Sequence, residues 1–318
     1  MDWRYEHMYD FYYFFFIALL GAVTVGLYFL CKKKGPRFAH ATIEILLWTN
    51  FALHFLKQFL PGYPNLWPEG WVDSTIPNLC AALVLLAPFI YNWGTPTMKD
   101  YMYYIGFISG FAVHFFPTGV MRLNHLEGGW ANPVYLVEAL RFYFCHSVLV
   151  ITAVLMVTSK RHTLDYRRLK WLPVAFGAVL GLVALHAIFY GPLLKLKSFP
   201  HDWLGADGVL YRANQHYGPA NQSMAFGPQP GVMEWLDPIA SKIFIPYLMI
   251  FYVDGTMYYT PVIWILPWIA LGTLIAGPIM AYPFEHRHMK LDFEAWKQKR
   301  AMKKKARHFA SSGNDTLD

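Results

Sequence analysis

The chain has 318 residues, of which 56% are hydrophobic, 18% aromatic and only 15% charged. A soluble domain of this length does not need so apolar a composition to build its core, so we exclude an ordinary soluble protein and expect lipid to be part of the solvent. The net charge of +7 does not indicate a nucleic-acid partner, because Lys and Arg are concentrated in a few loops.

Seven apolar stretches predict an all-α, polytopic transmembrane helix bundle of about seven spans. A helix of about 20 apolar residues crosses a hydrocarbon core of roughly 30 Å. The first stretch follows an acidic segment and lacks a small-residue cleavage pattern, so we expect a retained helix and not a removable signal peptide. In chain order the predicted spans are 11–30, 41–60, 76–93, 101–117, 139–158, 172–194 and 261–283.

The basic residues predict how this bundle is oriented. Lys and Arg concentrate in segments 32–40, 94–100 and 159–171 and after residue 283, and these four segments alternate onto one face. An excess of Lys and Arg in short loops is typical of the cytosolic face. We therefore expect the amino terminus outside and the carboxy terminus inside, with 1–283 as one transmembrane domain and 284–318 as a basic cytosolic tail.

The segment 195–260 is predicted to be an extracytoplasmic, lid-like loop, because it is too long for a simple connection. Its most apolar part, 243–253, is too short to cross a bilayer and contains Pro246. These features predict an interfacial or re-entrant helix beside the path of a substrate.

Polar side chains of five predicted spans share one depth. Ionisable groups in hydrocarbon are costly, so each is a functional candidate, although a single one is more simply explained by packing, local hydrogen bonding or snorkelling. At about 1.5 Å per residue they fall within roughly 12 Å of the outer boundary. Their shared depth, with no acidic partner found there, predicts a site made of His54, Lys57, Cys80, His114, Arg141, His146 and His186.

Cys80 has the features of a nucleophile. The residues 75–77, Thr-Ile-Pro, are typical of a helix cap and first turn, which would place the thiol just inside a helix amino terminus. The helix dipole and a nearby Lys57 would favour the thiolate. His146 lies at a similar predicted depth and is the expected base.

Four short motifs resemble, in order and spacing, the YwaF-like integral membrane proteins, a family that includes a transmembrane acyltransferase of ether phospholipids. The similarity covers roughly residues 41–283. The chain departs from the family pattern at Asn78 and at Cys145 and Ser147, which flank His146. The motifs are 76–80 (IPNLC), 104–117, 141–147 (RFYFCHS) and 221–224.

The resemblance implies that Cys80 and His146 move a fatty acyl group between a phospholipid and a lysophospholipid through a thioester. Distant relatives that hydrolyse lipids imply that water is an alternative acceptor, giving a free fatty acid. Acyl transfer also needs an oxyanion donor, for which Asn78 or Lys57 is suited. Lys57 and Arg141 are suited to a lipid phosphate, and His54 and His114 complete the predicted substrate-binding set.

Two other functions remain open at this point. Neutral imidazoles of His54, His114, His146 and His186 are suited to haem or metal ligation in a non-enzymatic carrier. Alternatively, the aromatic spans pack against partners in a structural or assembly subunit. For the acyltransferase or hydrolase we expect no cofactor and no metal.

Overall fold

The structure is a computed structural model that describes residues 4–60, 74–121, 123, 126–190, 203–204, 210–211, 223–227, 239, 242–253 and 256–312. This part of the chain is mostly helical. Its eight α-helices are α1 (Phe11–Lys34), α2 (Pro36–Leu56), α3 (Leu79–Trp93), α4 (Pro96–Phe115), α5 (Thr118–Met121), α6 (Pro133–Thr158), α7 (Leu172–Tyr190) and α8 (Leu266–Ser312). Short 3-10 turns cover Lys57–Phe59, Gly129–Ala131 and Tyr166–Trp171. Two small antiparallel sheets pair β1 (Trp203–Leu204) with β2 (Leu210–Tyr211), and β3 (Ile250–Val253) with β4 (Thr256–Tyr259).

Each predicted span corresponds to one of these helices. Four helical stretches are long and apolar enough to cross a membrane: Phe11–Lys34, Pro133–Thr158, Tyr166–Phe189 and Leu266–Lys303. The other three predicted spans correspond to α2, α3 and α4. The helix α3 is apolar but has only 15 residues, or about 22 Å, which is shorter than a hydrocarbon core.

Local sequence signals explain where several helices begin. Asp10, Thr95 and Asn132 cap α1, α4 and α6 with their side chains, and a proline follows the cap of α4 and of α6. Gly35 separates α1 from α2 with a φ of 90°, a conformation that side chains with a Cβ rarely adopt.

The four basic segments of the sequence meet at one end of the bundle. Arg161 donates to the carbonyl of Pro36 at 2.7 Å, so the 159–171 segment contacts the α1–α2 turn. His162 and Arg168 bind the carboxylate of Asp100 at 2.6 and 2.5 Å, and Arg167 binds Asp292 at 2.6 Å. The alternating arrangement predicted from the charges therefore agrees with the packing.

The prediction of a helix over 243–253 is wrong. Residues 250–253 form β3, which pairs with β4 in register Phe251 to Tyr258. Residues 250–253 and 256–259 are rich in β-branched and aromatic residues and flank an Asp-Gly dipeptide, which is a hairpin signal stronger than the apolar character of the run.

The last helix does not end at residue 283. It has 47 residues, about 70 Å, and continues through Pro278 and Pro283 into the basic tail as far as Ser312. This length exceeds any hydrocarbon core, so its basic second half extends beyond the apolar part of the bundle. Prolines are tolerated in membrane helices because neighbouring groups satisfy the freed carbonyls.

Candidate functional site

The helix α4 lies between α3 and α6, and two glycines allow this close packing. A Cβ on Gly106 would lie 3.3 Å from the side chain of Leu83 and 3.7 Å from the carbonyl oxygen of Leu149. A Cβ on Gly110 would lie only 2.6 Å from the carbonyl oxygen of His146. The backbones of α4 and α6 therefore touch at the level of this histidine.

This packing fixes the register of three helices. Leu83, Gly106 and Leu149 lie at one level, and α3 and α6 run in the same direction while α4 runs the opposite way. Three residues toward the end opposite the basic segments on each helix are Cys80, Ser109 and His146. Ser109 lies close to the thiol of Cys80, in agreement with this register, and its hydroxyl donates to the carbonyl of Gly106 at 3.4 Å. Cys80 thus lies beside Ser109 and the backbone of His146 lies beside Gly110, and both Cys80 and His146 are only partly buried.

Hydrogen bonds orient both histidines of this level. Nδ1 of His146 lies 2.7 Å from the carbonyl oxygen of Phe142, and Nδ1 of His114 lies 2.7 Å from that of Gly110. A carbonyl only accepts, so Nδ1 carries the proton and Nε2 keeps its lone pair on each neutral ring. Nε2 of His114 faces the hydroxyl of Ser147 at 3.0 Å.

Two further histidines hold the segment that precedes α3. Nε2 of His54 donates to the carbonyl of Thr75 at 2.6 Å, and Nε2 of His186 accepts from the hydroxyl of Thr75 at 2.5 Å. The backbone N–H of Ile76 also points to His186, at 3.3 Å. His54, which we expected to bind substrate, thus makes a contact that positions the entry to α3.

The predicted cap of α3 at Thr75 is wrong, because the helix begins at Leu79. Its cap is Asn78, whose Oδ1 accepts from the N–H of Ala81 at 2.8 Å. Ser223, from the predicted lid, accepts from the N–H of Leu79 at 2.7 Å. Asparagine is a better cap than threonine, and Pro77 offers no N–H to continue the helix backwards. Cys80 is nevertheless in the first turn, as predicted.

Lys57 and Arg141 lie at the next level toward the end opposite the basic segments, together with an acidic partner. Glu138 forms an ion pair with Arg141 at 2.7 Å. Lys57 is buried in the 3-10 turn after α2 and acts electrostatically on His54. The expectation that this depth lacks an acid is wrong, because α6 starts at Pro133 and includes Glu138, which lies outside the span predicted from residue 139.

The level of Cys80 lies deeper than the helix counts predicted. His146 follows the first residue of α6 by about 20 Å along the axis, beyond the roughly 12 Å expected. The non-helical residues 74–78 reach down to the same region between His54 and His186. Irregular backbone at membrane depth is tolerated where it is buried in protein or lines a water-filled space.

The described residues offer little support for a metal or haem site. Within them, no group of three or more His, Cys, Asp and Glu side chains is arranged to hold a metal ion. The predicted histidine ligands also have protein partners, since His54, His114 and His186 each use Nε2 in a hydrogen bond. All three cysteines are free thiols, so Cys80 and Cys145 are not joined.

Three residues that contact the site were missed by sequence reasoning. Ser109 lies close to Cys80, Glu138 binds Arg141 and Ser223 binds the first residue of α3. A usable signal existed for Ser109, because a serine one residue before Gly110 lies in an otherwise apolar run. Ser223 is separated from Leu79 by more than a hundred residues, so no local pattern reveals its contact.

Comparison with known proteins gave no relative. No family model, no curated protein and no solved structure matches the chain.

Proposed function

We propose that this chain is a multi-pass membrane enzyme that transfers or hydrolyses the acyl group of a phospholipid. Cys80 is the nucleophile and His146 is the base. The observation that carries the proposal is the register around α4, which brings two partly buried residues, Cys80 and His146, to one level of the bundle. The YwaF-like motifs noted in the sequence include both residues.

The chemistry follows from these groups. Nε2 of His146 accepts the thiol proton, the sulfur of Cys80 attacks the ester carbonyl, and the lipid alcohol leaves with that proton. The hydroxyl of a lysophospholipid, or water, then attacks the thioester and gives its proton through His146 to the sulfur of Cys80. With a lysophospholipid the product is a phospholipid, and with water it is a fatty acid. The position of Cys80 in the first turn of α3 adds the positive end of a helix dipole where negative charge develops.

The level above the thiol is suited to a lipid headgroup. Among the described residues it carries the cationic side chains of Lys57 and Arg141, with Glu138 bound to Arg141. Ammonium and guanidinium groups are suited to a phosphate, and Arg141 has donors to share between Glu138 and the lipid. The non-helical segment 74–78 provides a polar wall along this route from the outer face.

The decisive experiment compares cellular lipids after expression of wild type, Cys80→Ala and Cys31→Ala. We expect wild type to change at least one pair of phospholipid and lysophospholipid species, and Cys80→Ala to abolish the change. Cys31→Ala is the matched control, because that thiol is buried in the last turn of α1, at the basic end of the bundle. His146→Ala should lower turnover by a factor of about 10² or more, the usual contribution of a general base.

A second readout traps the intermediate. Purified wild type should carry an acyl group that hydroxylamine removes, and Cys80→Ala should not. The absence of any lipid change and of any trapped acyl group in wild type would exclude the enzyme. Full biological function of both Cys80→Ala and His146→Ala would support a structural subunit, and a visible absorption band would support a haem carrier.

A further inference from the structure

A groove of about 350 Å³ lies between α1 and α6, on a different side of α6 from His146. Its lining residues are apolar apart from Tyr143 and Ser147. Leu19 and Val23 on α1 form part of the wall and are exposed at the surface of the bundle. The groove is therefore open sideways, toward the lipid that surrounds a membrane-spanning helix.

The dimensions of the groove are those of one acyl chain. Its wall on α6 extends from Leu140 to Ile151, which is about 16 Å along the helix axis. Half of a hydrocarbon core of roughly 30 Å, the depth of one leaflet, is nearly the same. A chain in this groove would lie against Ser147, one of the lining residues.

The hydroxyl of Ser147 has a base behind it. It lies 3.0 Å from Nε2 of His114, and Nδ1 of the same ring donates to the carbonyl of Gly110 at 2.7 Å. This second bond leaves Nε2 as the acceptor, so Ser147 donates its proton to the imidazole. Nucleophile, base and a third group that orients the base are the parts of an activated serine site. His114 is 1% exposed, which keeps the base away from bulk water.

We propose that Ser147 and His114 form a second acyl-transfer site, whose substrate is a membrane lipid ester with its acyl chain in the groove between α1 and α6. This site does not use Cys80. Its groove is lined by α1, α2 and α6, and neither Cys80 nor His146 is among the lining residues. Its base, His114, reaches Ser147 from α4, the helix that Cys80 and His146 also adjoin.

The reaction balances without a redox partner. Oγ of Ser147 gives its proton to Nε2 of His114 and bonds to the ester carbonyl carbon. The carbon–oxygen bond to the lipid alcohol breaks, and the alcohol leaves with the proton from His114. Water then attacks the acyl-serine, His114 takes a proton from that water, and Ser147 recovers a proton as the fatty acid leaves.

Alkyl fluorophosphonates test the site, because they modify activated serines. The full-length protein in detergent is treated with a long-chain reagent, and the modified residue is identified by mass spectrometry. We expect one modification, on Ser147, which Ser147→Ala abolishes. His114→Gln should slow it by a factor of about 10² or more. Ser159→Ala should react like wild type, because its hydroxyl is bound to the carbonyl of Leu155 at 2.6 Å, away from the groove.

A groove variant keeps the proposal testable if His114→Gln fails to fold. Val23→Trp replaces an exposed side chain of α1 and fills the groove. It should slow modification of Ser147 by the long-chain reagent at least tenfold and leave the rate of modification by a short-chain reagent unchanged. An unmodified wild type, a modified residue other than Ser147, or equal rates in wild type and His114→Gln would each overturn the proposal.

The outcome is separate from that for Cys80. Modification of Ser147 in the Cys80→Ala variant supports the serine site whether or not the thiol site exists. Loss of that modification in correctly folded Cys80→Ala would contradict a second site. A hydroxylamine-sensitive group on Cys80 with no reaction at Ser147 would leave the thiol proposal standing alone.

Discussion

Glu6, just before α1, has a side chain whose charge is set mainly by burial. The residue is completely buried, the hydroxyl of Tyr143 donates to its carboxyl, and its backbone N–H donates to the hydroxyl of Tyr135 at 2.9 Å. Burial raises the pKa of Glu6 from 4.5 to about 7, Asp10 adds to the rise, and the hydrogen bond from Tyr143 lowers the pKa in part. The folded protein thus binds a proton here that the unfolded chain releases at lower pH.

We predict that this carboxyl makes the protein less stable as pH rises. A folded-state pKa above the unfolded value gives a contribution that is complete below about pH 4.5 and is lost as the pH passes about 7. The expected loss is on the order of 3 kcal/mol, and Glu6→Gln should remove that part of the slope. Thermal unfolding in detergent between pH 4.5 and 8 measures it.

The exposed Glu127 provides the control for Glu6. Glu127→Gln removes a carboxylate outside the buried cluster and should keep the wild-type slope. A Glu6→Gln variant whose stability varies with pH as steeply as wild type would contradict the assignment.

At the residue scale, the sequence indicates which residues share a level better than it indicates how deep that level lies. Cys80 and His146 fall near one level both in the predicted spans and in the register around α4. That level is about 20 Å from the start of α6 and not within the roughly 12 Å expected. Glu138 was missed because the span was defined by its apolar run alone, which places a charged residue at its edge outside the helix. The role of Asn78 as a cap depended on where α3 begins, and helix ends are the least predictable feature of a sequence.

At the element scale, α4 presents a face of small residues to α6. Gly110 is on this face, and the carbonyl oxygen of His146 and the side chain of Val150 fill the space that a Cβ at this position would need. We predict that Gly110→Ala forces α4 and α6 apart, because the added Cβ would lie 2.6 and 2.9 Å from these atoms. The expected cost is about 1–3 kcal/mol, measured as a lower unfolding temperature.

A matched glycine separates this packing effect from helix propensity. A Cβ added to Gly21 on α1 would have no neighbouring atom within 4 Å. Gly21→Ala should therefore leave the stability of the protein unchanged or raise it by up to about 1 kcal/mol. Gly110→Ala should also reduce lipid turnover more than its loss of stability explains, since the backbone of His146 would move. Equal unfolding temperatures for Gly110→Ala and Gly21→Ala would show that the contact is not tight.

The existence of the helices followed from apolar runs, whereas their ends and the small strands did not. An apolar run indicates that a segment lies in lipid. A helix is stable there because it forms all of its backbone hydrogen bonds within itself. Outside the run this argument loses force, so the extension of α8 to Ser312 and the start of α6 at Pro133 were not predicted. The β3–β4 hairpin was missed because hydrophobicity was given more weight than its turn signal.

At the scale of the whole molecule, one buried carboxylate connects chain segments at the basic end of the bundle. Asp100 at the start of α4 is 3% exposed and binds both His162 and Arg168. Arg168 also donates to the carbonyl of Thr163 at 2.7 Å, which closes the loop between α6 and α7. A buried carboxylate is stable only with such partners, so the segments that carry the positive charges are fixed in place and not merely near one another.

The opposite end is defined by contacts of the region before α8. Ser223 binds the start of α3, Val262 donates to the carbonyl of Ala225 at 2.7 Å, and Thr260 donates to that of Met249 at 2.9 Å. The β3–β4 hairpin is thus connected to the first turn of α3, and α8 runs from there toward the basic end. Three exposed residues report on the two ends: Tyr247 beside the hairpin, Thr163 between α6 and α7, and Gln298 on the second half of α8.

We predict that a membrane-impermeant maleimide applied to intact cells labels Tyr247→Cys and does not label Thr163→Cys or Gln298→Cys until the membrane is permeabilised. The reason is the charge asymmetry of the loops, which places the basic end in the cytosol. Cys31 and Cys145 are buried, and the unmodified protein measures the background from all three native thiols. Labelling of Tyr247→Cys and Gln298→Cys from the same side would contradict a membrane crossing by α8, and labelling of Thr163→Cys in intact cells would reverse the orientation.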